Sequence, residues 1–227
     1  MQNRSVGVTQ DRRTAFVAID TCGGGNNFMA IVSGVYEDDG TLLIIAADTT
    51  PVTSDRQLED EIHSHAAGLR AMLGAYTEMV SVIEANYGGW VQASRVARLL
   101  DDHKPTAHLT VDRETSATVE RRIGVFTTAE VKERMRHELQ RLLREDKVAF
   151  ASDARFSRDG DRAELLNQLR RCEYIYKPTI DSATKARRRV ISGKMNGKND
   201  DMAVAMMMLA YWPVHYYNTR ERGVVRR

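Results

Sequence analysis

TAFVAID, residues 14–20, is a short apolar run that ends in a carboxylate, and such a run is typical of a buried strand. A second run, MVSVIE (residues 79–84), ends in Glu84 in the same way. Farther along the chain, Asp200 and Asp201 open DDMAVAMMMLAYW, whose length and apolarity indicate a buried helix. We therefore predict two core strands and one core helix that each hold an acidic side chain at one end.

The segments around these runs predict an α/β fold with a mixed sheet. CGGGNN and EDDG separate the first three apolar runs, and such turn signals indicate two successive hairpins. Helical patterns follow the third and fourth strands, so the fourth and fifth strands should run parallel to the first. The predicted strands span 15–19, 28–36, 41–47, 79–83 and 107–111, and the predicted helices span 55–76, 90–100, 127–146, 163–174 and 200–212.

Composition sets broad limits on the class of protein. The chain has 227 residues, of which 42% are hydrophobic and 28% are charged, and this is enough for one sizeable core. No apolar run approaches the roughly 18 to 20 residues that span a bilayer, and the N-terminus lacks the apolar core of a signal peptide. The two cysteines do not suggest a disulfide scaffold, so we expect an intracellular protein that is not secreted.

Carboxylates held at the ends of rigid elements are ligands that hard divalent cations prefer. Phosphodiester hydrolysis can use two such ions roughly 3.5 to 4 Å apart, one to generate hydroxide and one to stabilise the leaving oxygen. We predict that Asp20 bridges two Mg²⁺ or Mn²⁺ ions, that Glu84 holds one and that Asp201 holds the other. Asp200 is predicted to be an alternate ligand or a neighbour that supports Asp201.

Each acid also has a structural interpretation. An aspartate at a strand end is a common turn residue, and an aspartate at a helix start is a common N-cap. The occurrence of all three acids in this order of elements is what favours a metal site.

The segment KPTIDSATKARRRVISGKMNGKN, residues 177–199, is basic and polar, and we predict a hairpin or loop that projects before the last helix. A solvated charged loop is one interpretation, and an element that contacts DNA phosphates is the other. Arg121, Arg122 and Lys132 could extend such a surface, which shows no residues that would read bases. The predicted DNA-binding residues are Lys132, Lys185, Arg187, Arg188, Arg189, Lys194 and Lys198.

The motifs VAIDTCGGGNN, VSVIEANYGGW, RIGVFTTAEVKERM and GKNDDMAVAMMMLAYW occur in an order and spacing that resemble the C-terminal nuclease domain of the viral terminase large subunit. The resemblance is to the herpesvirus type, with tailed-phage terminases as relatives, and it covers about residues 14–213. It implies an RNase H-like fold, in which a five-stranded sheet of order 3-2-1-4-5 is flanked by helices and a basic hairpin or loop precedes the last helix.

The activity that this resemblance implies is metal-dependent cleavage of concatemeric double-stranded viral DNA during genome packaging, with little intrinsic sequence specificity. Asp20, Glu84 and Asp201 match the catalytic acids of the family, and Asp200 matches their neighbour in the same motif. A further family stretch, expected near the DNA, is matched by Gly124, Thr127 and Lys132.

The resemblance also implies partners and a location. The expected partners are double-stranded DNA, the ATPase motor domain of the same full-length protein, other terminase subunits and the capsid portal, with no membrane, and the expected location is the host cell nucleus. The chain has no GxxxxGK[ST] motif, so we expect the motor to lie outside this segment. We predict a tail or linker remnant over residues 1–13, the nuclease domain over 14–213 and a basic tail over 214–227.

Two other functions fit the same residues. A junction resolvase or an integrase-like enzyme would also place three acids on these elements, and it would prefer branched DNA to linear duplex. A nuclease-dead module that only clamps DNA would bind without cleaving.

Overall fold

The structure is a computed structural model that describes residues 3–4, 14–21, 28–73, 78–86, 89–114, 119–156, 160–171, 173–178, 187–192 and 200–221. The strands are β1 (Asn3–Arg4), β2 (Thr14–Asp20), β3 (Phe28–Tyr36), β4 (Leu42–Pro51), β5 (Glu78–Ile83), β6 (Thr106–His108), β7 (Thr110–Glu114), β8 (Val119–Ile123), β9 (Val148–Phe156), β10 (Glu173–Pro178) and β11 (Arg187–Ser192). The helices are α1 (Asp55–Leu73), α2 (Gly89–Asp101), α3 (Ala129–Arg144), α4 (Asp161–Arg171) and α5 (Asp201–Glu221).

The central sheet has the order β1-β9-β4-β3-β2-β5-β6. Its segment β4-β3-β2-β5-β6 is the predicted order 3-2-1-4-5, so this prediction is confirmed. Antiparallel pairs join β2 to β3 and β3 to β4, and parallel pairs join β2 to β5 and β5 to β6. The sequence did not predict β9 and β1, which extend the sheet beyond β4 in parallel orientation.

Alternate residues of the central strands build two cores on opposite faces of the sheet. Phe16 and Ala18 of β2 pack in one core with buried side chains of α3, α4 and α5. Val17 and Ile19 of the same strand pack in the other core with buried side chains of α1 and α2. The run of buried residues in β2 is therefore a consequence of helices covering both faces, as expected for a central strand in an α/β sheet.

Helix α5 lies in the first of these cores, and its first ten residues are all buried. Its methionines Met202, Met206, Met207 and Met208 pack into this core, in keeping with the buried helix that the sequence predicted. The sequence predicted that this helix ends at residue 212. The helix instead continues through Pro213 to Glu221, so a proline that lacks the backbone N–H of a helix interior does not end it.

Other boundaries also differ from the prediction. The strand predicted over residues 107–111 is divided, because β6 stays in the central sheet while β7 pairs with β8 in a separate hairpin. The basic insertion is a hairpin, in which β10 and β11 pair antiparallel before α5, and this prediction is confirmed. In the described part of the chain, no helix has both the length and the apolarity needed to cross a membrane.

A buried polar chain links three elements on the α1 side of the sheet. The His65 ring of α1 is hydrogen-bonded through Nδ1 to the Asp48 carboxylate of β4, and its Nε2 lies 2.7 Å from the Ser33 hydroxyl of β3. All three side chains are almost completely inaccessible to solvent. The arrangement has the order of a Ser-His-Asp triad, yet it lies in the core, where no substrate can reach it. Its role is to join α1 to the sheet.

We predict that His65→Ala lowers the free energy of unfolding by about 3–5 kcal/mol, because it removes the partner of a buried carboxylate. Urea denaturation followed by circular dichroism measures this loss. Replacing both members of the pair, as Asp48→Leu with His65→Leu, should recover part of the loss, since the buried charge is then gone. A matched His137→Ala change on the exposed face of α3 should cost less than about 0.5 kcal/mol. A loss of similar size in both single variants would contradict this role.

Candidate active site

Two of the predicted acids meet because of strand register. β2 and β5 are parallel neighbours in which Ile19 is the partner of Ile83, so Asp20 and Glu84 follow at the same edge of the sheet. The Glu84 backbone N–H donates to the Ile19 carbonyl oxygen at 2.8 Å, so the hydrogen bonds between β2 and β5 extend as far as Glu84. Both side chains are buried, with residue exposures of 5% for Asp20 and 1% for Glu84.

The alternation of side chains decides which face these acids occupy. Asp20 lies on the same face of its strand as Phe16 and Ala18, and Glu84 lies on the same face as Val80 and Val82. These four apolar residues pack in the core that contains α5. Both carboxylates therefore project toward the helix that begins with the aspartate pair.

Helix α5 presents its first residue at the same place. The Asp200 carbonyl oxygen accepts the first helical hydrogen bond from the Val204 N–H at 2.9 Å, so Asp200 is the N-cap and Asp201 is the first helical residue. The buried Gln168 side chain of α4 accepts a hydrogen bond from the Ala203 N–H at 3.2 Å, which fixes this helix end. Asp200 and Asp201 are both buried.

The pKa of Asp20 reflects its burial and its proximity to the other acids. Burial raises the pKa of Asp20 well above its ordinary value, and the neighbouring carboxylates of Glu84 and Asp201 raise that pKa further. In its protonated form Asp20 donates a hydrogen bond to Glu84. The Lys132 ammonium acts in the opposite direction and lowers the pKa. The structure thus brings together the three predicted catalytic acids and one predicted DNA-binding cation.

Glu84 is held by groups from two other segments. Its Oε1 accepts hydrogen bonds from the Thr127 hydroxyl and, at 3.0 Å, from the Asn86 side-chain amide. Asn86 is in turn bound to Thr127, because its amide donates to the Thr127 hydroxyl at 2.6 Å and its Oδ1 accepts from the Thr127 N–H at 3.0 Å. Lys132 Nζ lies 4.0 Å from the same Oε1. One oxygen of Glu84 is therefore fixed in position.

The sequence did not predict the part played by Asn86. It follows Glu84 by two residues, but its partner Thr127 is 41 residues away, so no local pattern shows the contact. The sequence signal that did mark this region is the stretch that resembles the terminase family and contains Gly124, Thr127 and Lys132. Gly124 has a φ of 108°, and a Cβ there would lie 3.0 Å from the Ala93 Cβ and 3.1 Å from the Ile83 carbonyl oxygen. Glycine is needed for the chain to approach β5 so closely.

The remaining predicted DNA-binding residues lie in or beside the basic hairpin. Arg187, Arg188 and Arg189 form the first half of β11, and this strand lies against α3, the helix that carries Lys132. Lys185, Lys194 and Lys198 lie outside the described residues. Their part in DNA binding, like that of the three arginines, stays a prediction.

The acids suit divalent cations in their chemistry. Several carboxylate oxygens converge in a buried place with one lysine beside them, and hard cations prefer such oxygens. As placed, however, no three His, Cys, Asp or Glu side chains in the described part of the chain surround a common point for one ion. Asp20, Glu84 and Asp201 are the residues that would hold cations here.

No protein-family model matches the chain, and no curated protein matches its sequence. Solved structures do match its fold. The manganese-soaked, inhibitor-bound terminase nuclease domain of human cytomegalovirus has a TM-score of 0.68 at 12% identity, over 95% of this chain and 92% of that one. A further structure of that domain has a TM-score of 0.67 at 13% identity, over the same shares of the two chains. This chain has the terminase nuclease fold. That fold is RNase H-like, as predicted.

The raised pKa of Asp20 gives the stability of the terminase-like fold a definite pH dependence. Between the ordinary value of 3.8 and the raised folded-state value, the folded protein binds more protons than the unfolded chain. Stability contributed by the protonated Asp20 is thus present at acid pH and is lost as the pH rises through that window.

We predict that Mn²⁺ or Mg²⁺ raises the Tm of the wild type and that Asp20→Asn abolishes this shift. A cation at 100 times its Kd stabilises the folded state by about 2.7 kcal/mol, and each kcal/mol changes Tm by roughly 2–4 °C in a domain of this size. Without metal, and at a pH above the raised pKa of Asp20, Asp20→Asn should melt above the wild type, because it removes a charge from the acidic cluster. Differential scanning fluorimetry measures both effects.

The matched control is Asp38→Asn, which removes an exposed acid from the turn between β3 and β4. Its metal-induced shift should equal that of the wild type. Equal shifts in the wild type and in Asp20→Asn would instead show that the cations bind elsewhere.

Proposed function

We propose that this chain is a divalent-metal-dependent endonuclease domain that cuts double-stranded DNA during viral genome packaging. The observation that carries the proposal is the convergence of Asp20, Glu84 and Asp201 from two parallel strands and one helix start onto one buried place. The likeness of the fold to the cytomegalovirus terminase nuclease domain supports the same proposal.

Each side chain at the site has a role in this proposal. Asp20, Glu84 and Asp201 hold the cations, with Asp20 between the other two acids. Asn86 and Thr127 keep Glu84 in one orientation. When bound, divalent cations supply activation of water as the nucleophile and stabilisation of the leaving oxygen. We propose two ions, Mg²⁺ or Mn²⁺, because three carboxylates offer more oxygens than one ion needs from the protein.

Lys132 has a second role in the proposal. Its ammonium lies beside buried acids, with a side-chain exposure of 25%, so it can reach both the site and solvent. A cation in this position attracts the phosphate that the acids alone would repel. It contacts charge rather than a base edge, so it favours DNA without selecting a sequence.

The wider setting is also part of the proposal. An ATPase motor domain of the same full-length protein, other terminase subunits and the capsid portal would bring the DNA to this site, and the host nucleus would be its location. The likeness in fold supports this setting, in which partners rather than the domain select where the DNA is cut.

We predict that the wild type converts supercoiled plasmid to nicked and linear forms in Mn²⁺ or Mg²⁺. Asp20→Asn, Glu84→Ala and Asp201→Asn should each lower the rate more than about 100-fold, on the scale of losing one preorganised electrostatic group. Gel analysis of single time courses measures these rates. Asp38→Asn serves again as the matched control and should cut at the wild-type rate.

Three outcomes would contradict the proposal. Cleavage that persists in all three acid variants would point to a contaminating nuclease. DNA binding without cleavage by the wild type would favour a docking module. Cleavage of four-way junctions far faster than linear duplex would favour a resolvase.

We predict that replacing Arg187, Arg188 and Arg189 together by glutamine weakens binding to all duplexes alike. The slope of log Kd against log salt concentration should flatten by roughly 0.9 for each DNA phosphate that the variant no longer neutralises. Fluorescence anisotropy on two duplexes of unrelated sequence, at several salt concentrations, measures this change.

The matched control is Arg56→Gln, which removes an exposed arginine from α1. It should leave both the affinity and the slope unchanged. A reduction in affinity confined to one of the two duplexes would show that the arginines read sequence, contrary to the prediction.

A further inference from the structure

The segment between β8 and α3 passes directly beside the acidic cluster and is fixed on both sides of Phe126. Before it, Val125 forms a parallel bridge with Glu84, and the Val125 N–H donates to the Ile83 carbonyl oxygen at 2.8 Å. After it, Thr127 binds both Glu84 and Asn86. The position of Phe126 is therefore set by the same contacts that set the position of Glu84.

The Phe126 side chain projects away from this anchored segment into solvent. Val125 is completely buried and Thr127 is 3% exposed, whereas Phe126 between them is 41% exposed. Full burial of a phenylalanine side chain would contribute about 1.5–3 kcal/mol, and part of this contribution is absent here. A large apolar ring is thus held in solvent at the edge of the candidate active site.

The exposed Phe126 ring packs against a second aromatic ring. The Trp90 ring of α2 lies edge-to-face with Phe126, with centroids 4.7 Å apart and an interplanar angle of 81°. The guanidinium carbon of Arg122 lies 6.0 Å from the centroid of the Trp90 ring. We call Trp90, Arg122 and Phe126 the aromatic rim. Contacts of this kind fix the orientation of Phe126 before any ligand arrives.

Exposed apolar side chains are common on protein surfaces and usually need no explanation. Within the described residues the large exposed ones are Val91, Phe126, Leu143 and Val214. Phe126 is the aromatic one among them, and its two chain neighbours both contact Glu84. Its fixed position and its ring partner distinguish it from a chance exposure.

The chemistry around the rim indicates its ligand. Arg122 and Lys132 place positive charge on either side of this segment, which suits a nucleic acid backbone. A base inside a duplex has both faces covered by its neighbours, so a protein ring can stack only on a base that has left the stack. Stacking of this kind is tolerant of sequence because every base has a π-face.

We propose that Phe126, supported by Trp90, stacks on an unpaired nucleobase next to the phosphodiester bond that is cut. The domain then prefers DNA that is locally opened at the cleavage position, without preferring a sequence. This inference rests on the proposed nuclease function, and it adds a structural preference of the substrate to it.

A binding experiment tests the inference separately from cleavage. The full chain carries Asp20→Asn so that DNA stays intact, and two duplexes of the same sequence serve as probes. One is fully paired, and the other has a central unpaired stretch that contains 2-aminopurine. Anisotropy gives the affinity for each duplex, and the 2-aminopurine emission reports stacking directly. Phe126→Ala, Phe126→Leu, Phe126→Trp and, as a matched control, Leu143→Ala are introduced into this background.

We expect the opened duplex to bind more tightly than the paired one and to lose 2-aminopurine emission on binding. Phe126→Ala and Phe126→Leu should each weaken binding to the opened duplex about tenfold, near the lower end of measured stacking contributions. Phe126→Trp should keep the affinity, and Leu143→Ala should not change it.

Equal affinity of Phe126→Ala and the parent for the opened duplex would overturn the inference. Retained affinity in Phe126→Leu would also overturn it, because an apolar contact without stacking would then suffice. An equal weakening in Leu143→Ala would do the same. The proposed nuclease function fails on a different result, the absence of plasmid cleavage by the wild type, which this experiment does not measure.

Discussion

The parallel pairing of β2 with β5 is the constraint on which the site depends. In this register Ile19 faces Ile83 across the ladder, and the two acids that follow lie side by side. A slip of one residue would turn Glu84 to the opposite face of the sheet, toward α1 and α2, because side chains alternate along a strand. Apolar side chains on both faces of β5 oppose such a slip, since it would exchange the packing of the two cores.

The same pairing creates an electrostatic cost. Two like charges 4 Å apart repel by about 4 kcal/mol at an effective dielectric near 20, and here several carboxylates share one buried place. Lys132 and the hydrogen bonds to Glu84 offset part of this cost. Burial, together with the repulsion from Glu84 and Asp201 that remains, raises the pKa of Asp20 and favours its protonated form. The acids are therefore held together in the fold against their mutual repulsion.

The sequence predicted the elements whose signals are local. The apolar runs of β2 and β5 are long, unbroken and bounded by turns, so their strand character and their terminal acids were visible. β9 was missed because VAFASDARF begins apolar and then becomes exposed and polar, and its place in the sheet depends on pairing with the distant β4. Helix α5 was predicted from apolarity, but its polar continuation past Pro213 lacks that signal and was missed.

The residues of the candidate active site also divide into those that a local sequence signal predicted and one that no such signal predicted. Asp20, Glu84 and Asp201 could be predicted because each ends or begins a strongly apolar element. Asn86 could not be predicted, because its role exists only through Thr127, which lies far along the chain.

The segment of residues 124–128 connects the acids with the surface that a substrate would meet. Gly124 allows the chain to approach β5, and Val125 then pairs opposite Glu84 through backbone hydrogen bonds to Ile83 and Ala85. Thr127 binds the Glu84 carboxylate, and Phe126 is left partly exposed between them. A displacement of this segment would therefore move an acid and an exposed ring together. The orientation of one carboxylate and the position of the exposed ring are thus both set by the same few residues of backbone.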